Sequence, residues 1–317
     1  MSRQQLASIV SNTPVTGAGA GTGVSATQPG VEPGHFLMIL QCPEVAARAQ
    51  PGQFVHVRCS PYHDPLLRRP LSVADVSDDR TRLSLLVREV GKGTAILART
   101  AVGSALDILG PLGRGYTLDV GKDDREFVLV AGGYGVAPIH FAARRLRGMR
   151  GRLGRPRLSV FLGAATAERL VFAGRLKRLA DDLHLVTEDG SVGHQGLVTD
   201  PLARYLETSM AHRLEGQVAR VLACGPMGMM AEVARLCEHH GMPCEVSLEN
   251  WMGCGVGACL GCVVPARGTD AADAFRPIEQ GRMAQEEESV LDGHRYLRVC
   301  TDGPVFEARD IAWEAMR

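Results

Sequence analysis

Residues 253–262 read GCGVGACLGC, and a fourth nearby thiol follows at Cys300 in RVCTDGPVF; no other feature restricts the chain so tightly. The spacing C-x4-C-x2-C puts Cys254, Cys259 and Cys262 on one short loop, which is the ligand spacing of a plant-type 2Fe-2S site with Cys300 as fourth ligand. Gly253, Gly255, Gly257 and Gly261 let backbone N–H groups come close to sulfur, where hydrogen bonds help set the potential. A structural zinc site of four cysteines usually presents two C-x2-C knuckles, and only one such pair is present. The 37 residues between Cys262 and Cys300 are mostly charged and polar, and they read as an excursion that leaves and rejoins the cluster loop.

The remaining cysteines bear on compartment. Nine is an odd number, and the clustering beside glycine is unlike a secreted disulfide framework. Cys42, Cys59, Cys237 and Cys244 lie in strand-like or helical contexts and read as buried small hydrophobes. No run approaches the roughly 18 apolar residues of a membrane span, and the N-terminus lacks the pattern of a signal peptide, so a cytoplasmic protein is expected. Lys plus Arg equals Asp plus Glu at 35 each, which leaves no overall field to favour nucleic acid or an anionic membrane.

The hydrophobic rhythm divides the chain. Residues 1–29, rich in Gly, Ala, Ser and Thr, read as a disordered leader. Residues 30–121 carry short apolar runs (HFLMIL, QFVHVRC, RLSLLVREV, ALDILG) punctuated by Pro and Gly, as in a small antiparallel β-barrel. Within residues 122–248, strands such as FVLVAG, LSVFLGA and RVLACG alternate with helical stretches, which implies a doubly wound α/β domain. Residues 249–317 form a small cluster domain with an inserted loop at 267–295. The fold class expected is therefore α+β multidomain.

Two loops suit a dinucleotide. Strand FVLVA runs into Gly132, Gly133, Tyr134, Gly135, Val136, Ala137 and Pro138 and then a helix, so amide donors and a positive helix end converge where a pyrophosphate could sit. Pro138 replaces the last glycine of G-x-G-x-x-G, so the ordinary fingerprint fails. A second loop, Cys224, Gly225, Pro226 and Met227, lies on the same carboxyl edge. Cys224 either faces a nicotinamide or packs the strand end, and Glu188 or Asp189 either binds a ribose or forms an exposed turn. In the barrel, Arg68, Arg69, Pro70, Leu71 and Ser72, together with Leu86, Val87 and Arg88 leading to Gly93 and Thr94, offer a guanidinium fork with backbone and hydroxyl donors suited to a flavin pyrophosphate. His63, His140, His194, His239 and His240 show no metal-ligand spacing.

Taken in order, RRPLS, VGKGT, GPLGRGY, AGGYGVAPIH, TEDGSVGHQGLVTD, ACGPMGMM, SLENWMGCGVGACLGC and RVCTDGPVF resemble the electron transfer subunits of class B dihydroorotate dehydrogenase, within the wider ferredoxin-NADP reductase-like flavoproteins. The resemblance implies FAD on Arg69, Pro70, Leu71, Ser72, Leu86, Val87, Arg88, Gly93 and Thr94. It implies NAD(H) at Gly132, Gly133, Gly135, Pro138, Gly225 and Pro226, with Cys224 on the nicotinamide side. Cys254, Cys259, Cys262 and Cys300 hold the 2Fe-2S cluster in that reading. The implied partner is an FMN-containing catalytic subunit in a two-plus-two heterotetramer, and the implied electron flow runs from dihydroorotate through FMN, cluster and FAD to NAD. Family members often carry charge where this chain has Asn250 and Trp251, and the insertion before Cys300 is unusually long. Because hydride carries two electrons and a cluster accepts one, a flavin must stand between them. The alternatives are a small subunit of a sulfhydrogenase or of an NAD(P)H:ferredoxin oxidoreductase, and, outside enzymes, a zinc-stabilised nucleotide-binding regulator.

Overall fold

The computed structural model describes residues 3–17, 34–119, 124–150, 154–211, 218–267 and 295–316. Six strands close an antiparallel barrel: β1 (Arg3–Val15), β2 (His35–Gln41), β3 (Phe54–Val57), β4 (Arg69–Val76), β5 (Arg82–Arg88) and β6 (Ala105–Leu112), in the order β1-β2-β5-β4-β3-β6. Alternation sends Val55 and Val57 of β3 into the barrel core with Met38, Leu83, Leu85 and Ile108. Phe54, on the other face of the same strand, joins the core that contains Cys262 and Cys300. Besides the short α1 (Pro43–Ala46), the barrel carries one helix, α2 (Lys92–Arg99), where the sequence suggests only a loop.

Strand β1 corrects the expected leader. Residues 3–15 pair with both β2 and β6, although only Ala7 and Ile9 of this strand are buried. Its stability comes from two ladders of backbone hydrogen bonds, which leave no signal in apolar content. The rest of the expected leader, 18–29, lies outside the described residues.

The second body is a sheet of β7 (Asp124–Gly132), β8 (Arg157–Ala164), β9 (Asp182–Thr187), β10 (His194–Gln195), β11 (Val218–Cys224), β12 (Cys244–Ser247) and β15 (Val305–Glu307), in the order β10-β9-β8-β7-β11-β12-β15. Helices α3 (Val136–Arg147), α5 (Thr199–Ala211) and α6 (Met227–His239) connect its parallel strands. The apolar stretch after β8 makes only a 3-10 turn and the short α4 (Ala173–Lys177), interrupted at Phe172, whose φ is +64°. The order reverses between β7 and β11, so the crevice beyond their carboxyl ends is the topological switch point where such sheets bind ligands.

The C-terminal segment is less separate than its composition implies. β13 (Val263–Ala266) and β14 (Arg295–Arg298) form a hairpin, but β15 pairs antiparallel to β12 and extends the α/β sheet. The insertion expected at 267–295 lies, apart from its two end residues, outside the described residues. Tyr116 ties the barrel to the sheet by donating its buried hydroxyl to the Ala223 carbonyl at 3.0 Å. Among the described residues, no helix is long and apolar enough to cross a membrane.

Candidate functional site

A cavity of about 840 Å³ opens between the two bodies and the cluster loop. Its barrel wall is the start of β4, Arg69 to Ser72, with Leu86, Val87 and Arg88 from β5 and Thr94 from α2. Gly93 has the close approach that a side chain would prevent: a Cβ there would stand 2.9 Å from Arg69 Nε. The guanidinium therefore lies across the first turn of α2, whose leading N–H groups have no partner within the helix. Arg69 donates from Nη1 to the Leu67 carbonyl at 2.7 Å, which fixes its fork. The Thr94 hydroxyl accepts from the N–H of Val90 at 2.9 Å and Gly91 at 3.2 Å and donates to the Gly91 carbonyl at 3.0 Å. It caps α2, so its hydroxyl is engaged by the turn from which the free N–H groups of the helix start.

The nucleotide loops meet across the switch point, backbone to backbone. A Cβ on Gly135 would stand 2.4 Å from the Cys224 carbonyl oxygen and 2.7 Å from Gly225 N, and one on Gly132 would stand 2.7 Å from Pro226. Gly133 has φ +55° with open space around it, and Pro138 is buried in the first turn of α3. The sequence-predicted NAD residues Gly132, Gly133, Gly135, Gly225 and Pro226 are thus gathered at one edge of the sheet.

Two residues with no role assigned from sequence line the cavity together with Arg69–Ser72. Tyr134, 43% exposed, stands beside Glu249, and both line the cavity. The Glu249 charge, then burial, pushes the Tyr134 hydroxyl up to about 12, while burial raises the Glu249 carboxyl above its ordinary value. Tyr134 was visible as the only large side chain in its glycine loop, but its partner lies 115 residues on. Cys224 is fully buried, and Ser247 beside it is the residue that lines the cavity. Burial, then the Glu249 charge, holds the Cys224 thiol well above its usual range. Asp189 accepts from Ser191 N at 3.0 Å and Oγ at 2.6 Å, as an exposed turn does. Cys42, Cys59, Cys237 and Cys244 are all buried, as expected.

The four cysteines expected from sequence to hold a cluster come together: Cys254 lies beside Cys259, Cys262 beside Cys300, and Cys254 is close enough to Cys300 to act on its charge. Among the described residues no three His, Cys, Asp or Glu side chains converge on a point as one metal ion requires. Four thiols at this spacing form a donor set that a two-iron unit would fit. Backbone N–H groups already point at sulfur, from Gly257 to Cys300 at 3.2 Å, and from Val256 and Ala258 to Cys254 at 3.4 and 3.3 Å. Gly255 and Gly257 adopt φ of +73° and +82° to permit this. Burial opposes ionisation of Cys254, yet these N–H groups and Cys259 bring it down to about 6. Burial and the neighbouring Cys262 push Cys300 up to about 12, against the Gly257 N–H. Cys262 and Cys300 face the core, whereas Cys259 is exposed. Gly253 and Gly261 of the same loop wall the cavity described above.

Residues 249–276 match the iron-sulfur cluster binding domain of dihydroorotate dehydrogenase B, and residues 34–116 match the oxidoreductase FAD-binding domain. The dihydroorotate dehydrogenase B (NAD(+)) electron transfer subunit of Desulforamulus reducens is 35% identical over 284 residues, covering 90% of this chain and 95% of that one. The protein of the same name from Shouchella clausii is 35% identical over 277 residues, covering 87% and 92%. Among solved structures, the NADH-dependent reduced ferredoxin-NADP oxidoreductase, studied for flavin-based electron bifurcation, aligns with a TM-score of 0.68 at 25% identity over 98% of this chain and 91% of that one. The Neisseria gonorrhoeae ferredoxin NADP+ reductase with bound FAD and NADP shares the fold, with a TM-score of 0.57 at 18% identity over 75% and 92%.

Proposed function

Because this chain belongs to the family of dihydroorotate dehydrogenase B electron transfer subunits, we propose that it carries electrons from a catalytic partner to NAD in the oxidation of dihydroorotate to orotate. The observation that carries the reading is the shared cavity: the flavin segment, the nucleotide loop and the cluster loop wall one space. Bound FAD supplies the exchange between paired electrons, passed as hydride with the nicotinamide, and single electrons, passed with the 2Fe-2S cluster.

This chain's residues hold and orient these groups. Arg69 and the first turn of α2 bind the flavin pyrophosphate, Pro70, Leu71 and Ser72 with Leu86, Val87 and Arg88 wall the ring, and Gly132, Gly133, Gly135, Gly225 and Pro226 seat the dinucleotide. Tyr134 and Glu249 face the flavin segment where the nicotinamide enters, and Cys224 supports them from behind Ser247. Cys254, Cys259, Cys262 and Cys300 hold the cluster. The exposed side chains of Trp251, Val256 and Leu260 beside the outward thiols support a partner contact on that face, since electrons leave where the cluster is nearest the surface. The partner carries FMN, the assembly is a two-plus-two heterotetramer, and it works in the cytoplasm.

Co-expression with an FMN-bearing dihydroorotate dehydrogenase chain tests the assignment. Dihydroorotate-dependent reduction of NAD by the purified complex is expected, and a complex whose flavins dihydroorotate never reduces would overturn it. The likeness to the NADH-dependent ferredoxin-NADP oxidoreductase favours a second reading, in which this chain is the small subunit of an NAD(P)H:ferredoxin oxidoreductase beside a larger chain. Pull-down of such a chain in place of the FMN subunit would support that reading.

Arg69→Ala is expected to weaken FAD binding about 100-fold, because a charge-assisted pair of hydrogen bonds contributes roughly 3 kcal/mol. Titration of the apoprotein by flavin fluorescence measures it, and a dissociation constant within threefold of the wild type would remove Arg69 from the pyrophosphate site.

A further inference from the structure

Among the described residues, His56 is the buried side chain whose two polar atoms both lack a hydrogen-bond partner. It sits on β3, fully buried, with neither Nδ1 nor Nε2 meeting a hydrogen-bond partner. The backbones of Cys254 and Arg68 lie beside the ring without reaching hydrogen-bond geometry. A buried imidazole with both nitrogens unsatisfied is costly, and a native chain retains one where a partner is to be received.

Its position says which partner. The alternation that sends Val55 and Val57 into the barrel sends His56 outward, against the cluster loop. A Cβ on Gly255 would stand 2.7 Å from His56 Nδ1, so the ring edge packs on the loop backbone next to Cys254. On the same strand His56 pairs with Pro70 of the flavin segment, and Arg68 donates to its carbonyl at 3.3 Å. One residue thus touches the cluster loop through its ring and the flavin strand through its backbone.

We infer that His56 is a positioning residue for the cluster, holding a ring N–H against the Cys254–Cys259 loop to donate to a sulfur of the bound cluster and so raise its reduction potential. In either charge state an imidazole carries at least one N–H. A donor to sulfur favours the more negative, reduced form, which is how surrounding hydrogen bonds tune such centres. The assignment deepens the functional reading above and rests on it, since it needs a cluster to be present.

The test is made on the full chain reconstituted with FAD and the cluster, by redox titration followed by electron paramagnetic resonance. His56→Leu is expected to lower the ratio of reduced to oxidised cluster about tenfold at a fixed potential, equivalent to about 59 mV for one electron. His56→Asn keeps an N–H near the place of Nδ1 and is expected to return the ratio to within about threefold of the wild type. A Leu variant unchanged within twofold, or an Asn variant displaced as far as Leu, overturns the assignment. If the Leu variant does not fold, the wild type decides: with 15N-labelled histidine, the reduced cluster is expected to show a nitrogen hyperfine coupling, and its absence overturns the role of His56. A wild-type chain that takes up no iron overturns the functional reading as well; one that takes up the cluster without the coupling overturns only His56.

Discussion

Cys300→Ala is expected to give a chain that keeps FAD and loses the cluster, with iron content falling to about a tenth of wild type because one iron is left without its second thiolate. Cys300 is the one proposed ligand that comes from outside the loop, since the other three lie within residues 254–262. It is buried, stands beside Cys262 and accepts a hydrogen bond from Gly257 at 3.2 Å, so its loss removes both a ligand and an anchor of the loop. Reduction of ferricyanide by NADH needs only the nicotinamide and flavin sites and should stay within about twofold of wild type. Transfer to or from the catalytic partner should fall below detection. The paired measurement separates a lost relay from a misfolded chain. Iron retained at wild-type stoichiometry would remove Cys300 from the ligand set.

The second large effect is expected at Gly135. Its φ is −57°, so alanine is conformationally acceptable there, and the obstacle is space alone. The added carbon would sit 2.4 Å from the Cys224 carbonyl oxygen and 2.7 Å from Gly225 N, and backbone atoms in a central strand and its turn cannot swing aside as a side-chain tip can. Gly135→Ala should therefore force the two nucleotide loops apart, with an overpacking cost of about 1–3 kcal/mol. A fall in Tm on the order of 5 °C and a rise of about tenfold or more in the dissociation constant for NADH are expected. FAD content and the cluster spectrum should not change, because their sites lie on other elements. Gly228→Ala is the control: nothing lies within 4 Å of that position in α6, so the helix should gain a few tenths of a kcal/mol. NADH affinity within twofold of wild type for Gly135→Ala would mean that the gap between the loops is not part of the nucleotide site.

Whatever depends on near neighbours can be read directly from the order of the residues. The cluster loop is legible because C-x4-C-x2-C with its glycines is a local chemical requirement, and the nucleotide loops are legible because a strand, a glycine turn and a helix follow one another directly. The α/β rhythm is legible for the same reason: period 2 and period 3.6 are written within a dozen residues. Tertiary structure decided whatever two distant segments make together. β1 is held by pairing with β2 and β6 and buries few apolar groups of its own, so composition over 1–29 pointed to a leader. β15 takes its place by adding to the edge of β12, across the boundary that the change in composition suggested. Cys224 sits where its motif implies, but only packing shows that Ser247 and not its thiol lines the cavity. The meeting of Tyr134 with Glu249, and of His56 with Gly255, likewise follows from which faces are buried against each other, and burial is a property of the folded chain that no local spacing encodes.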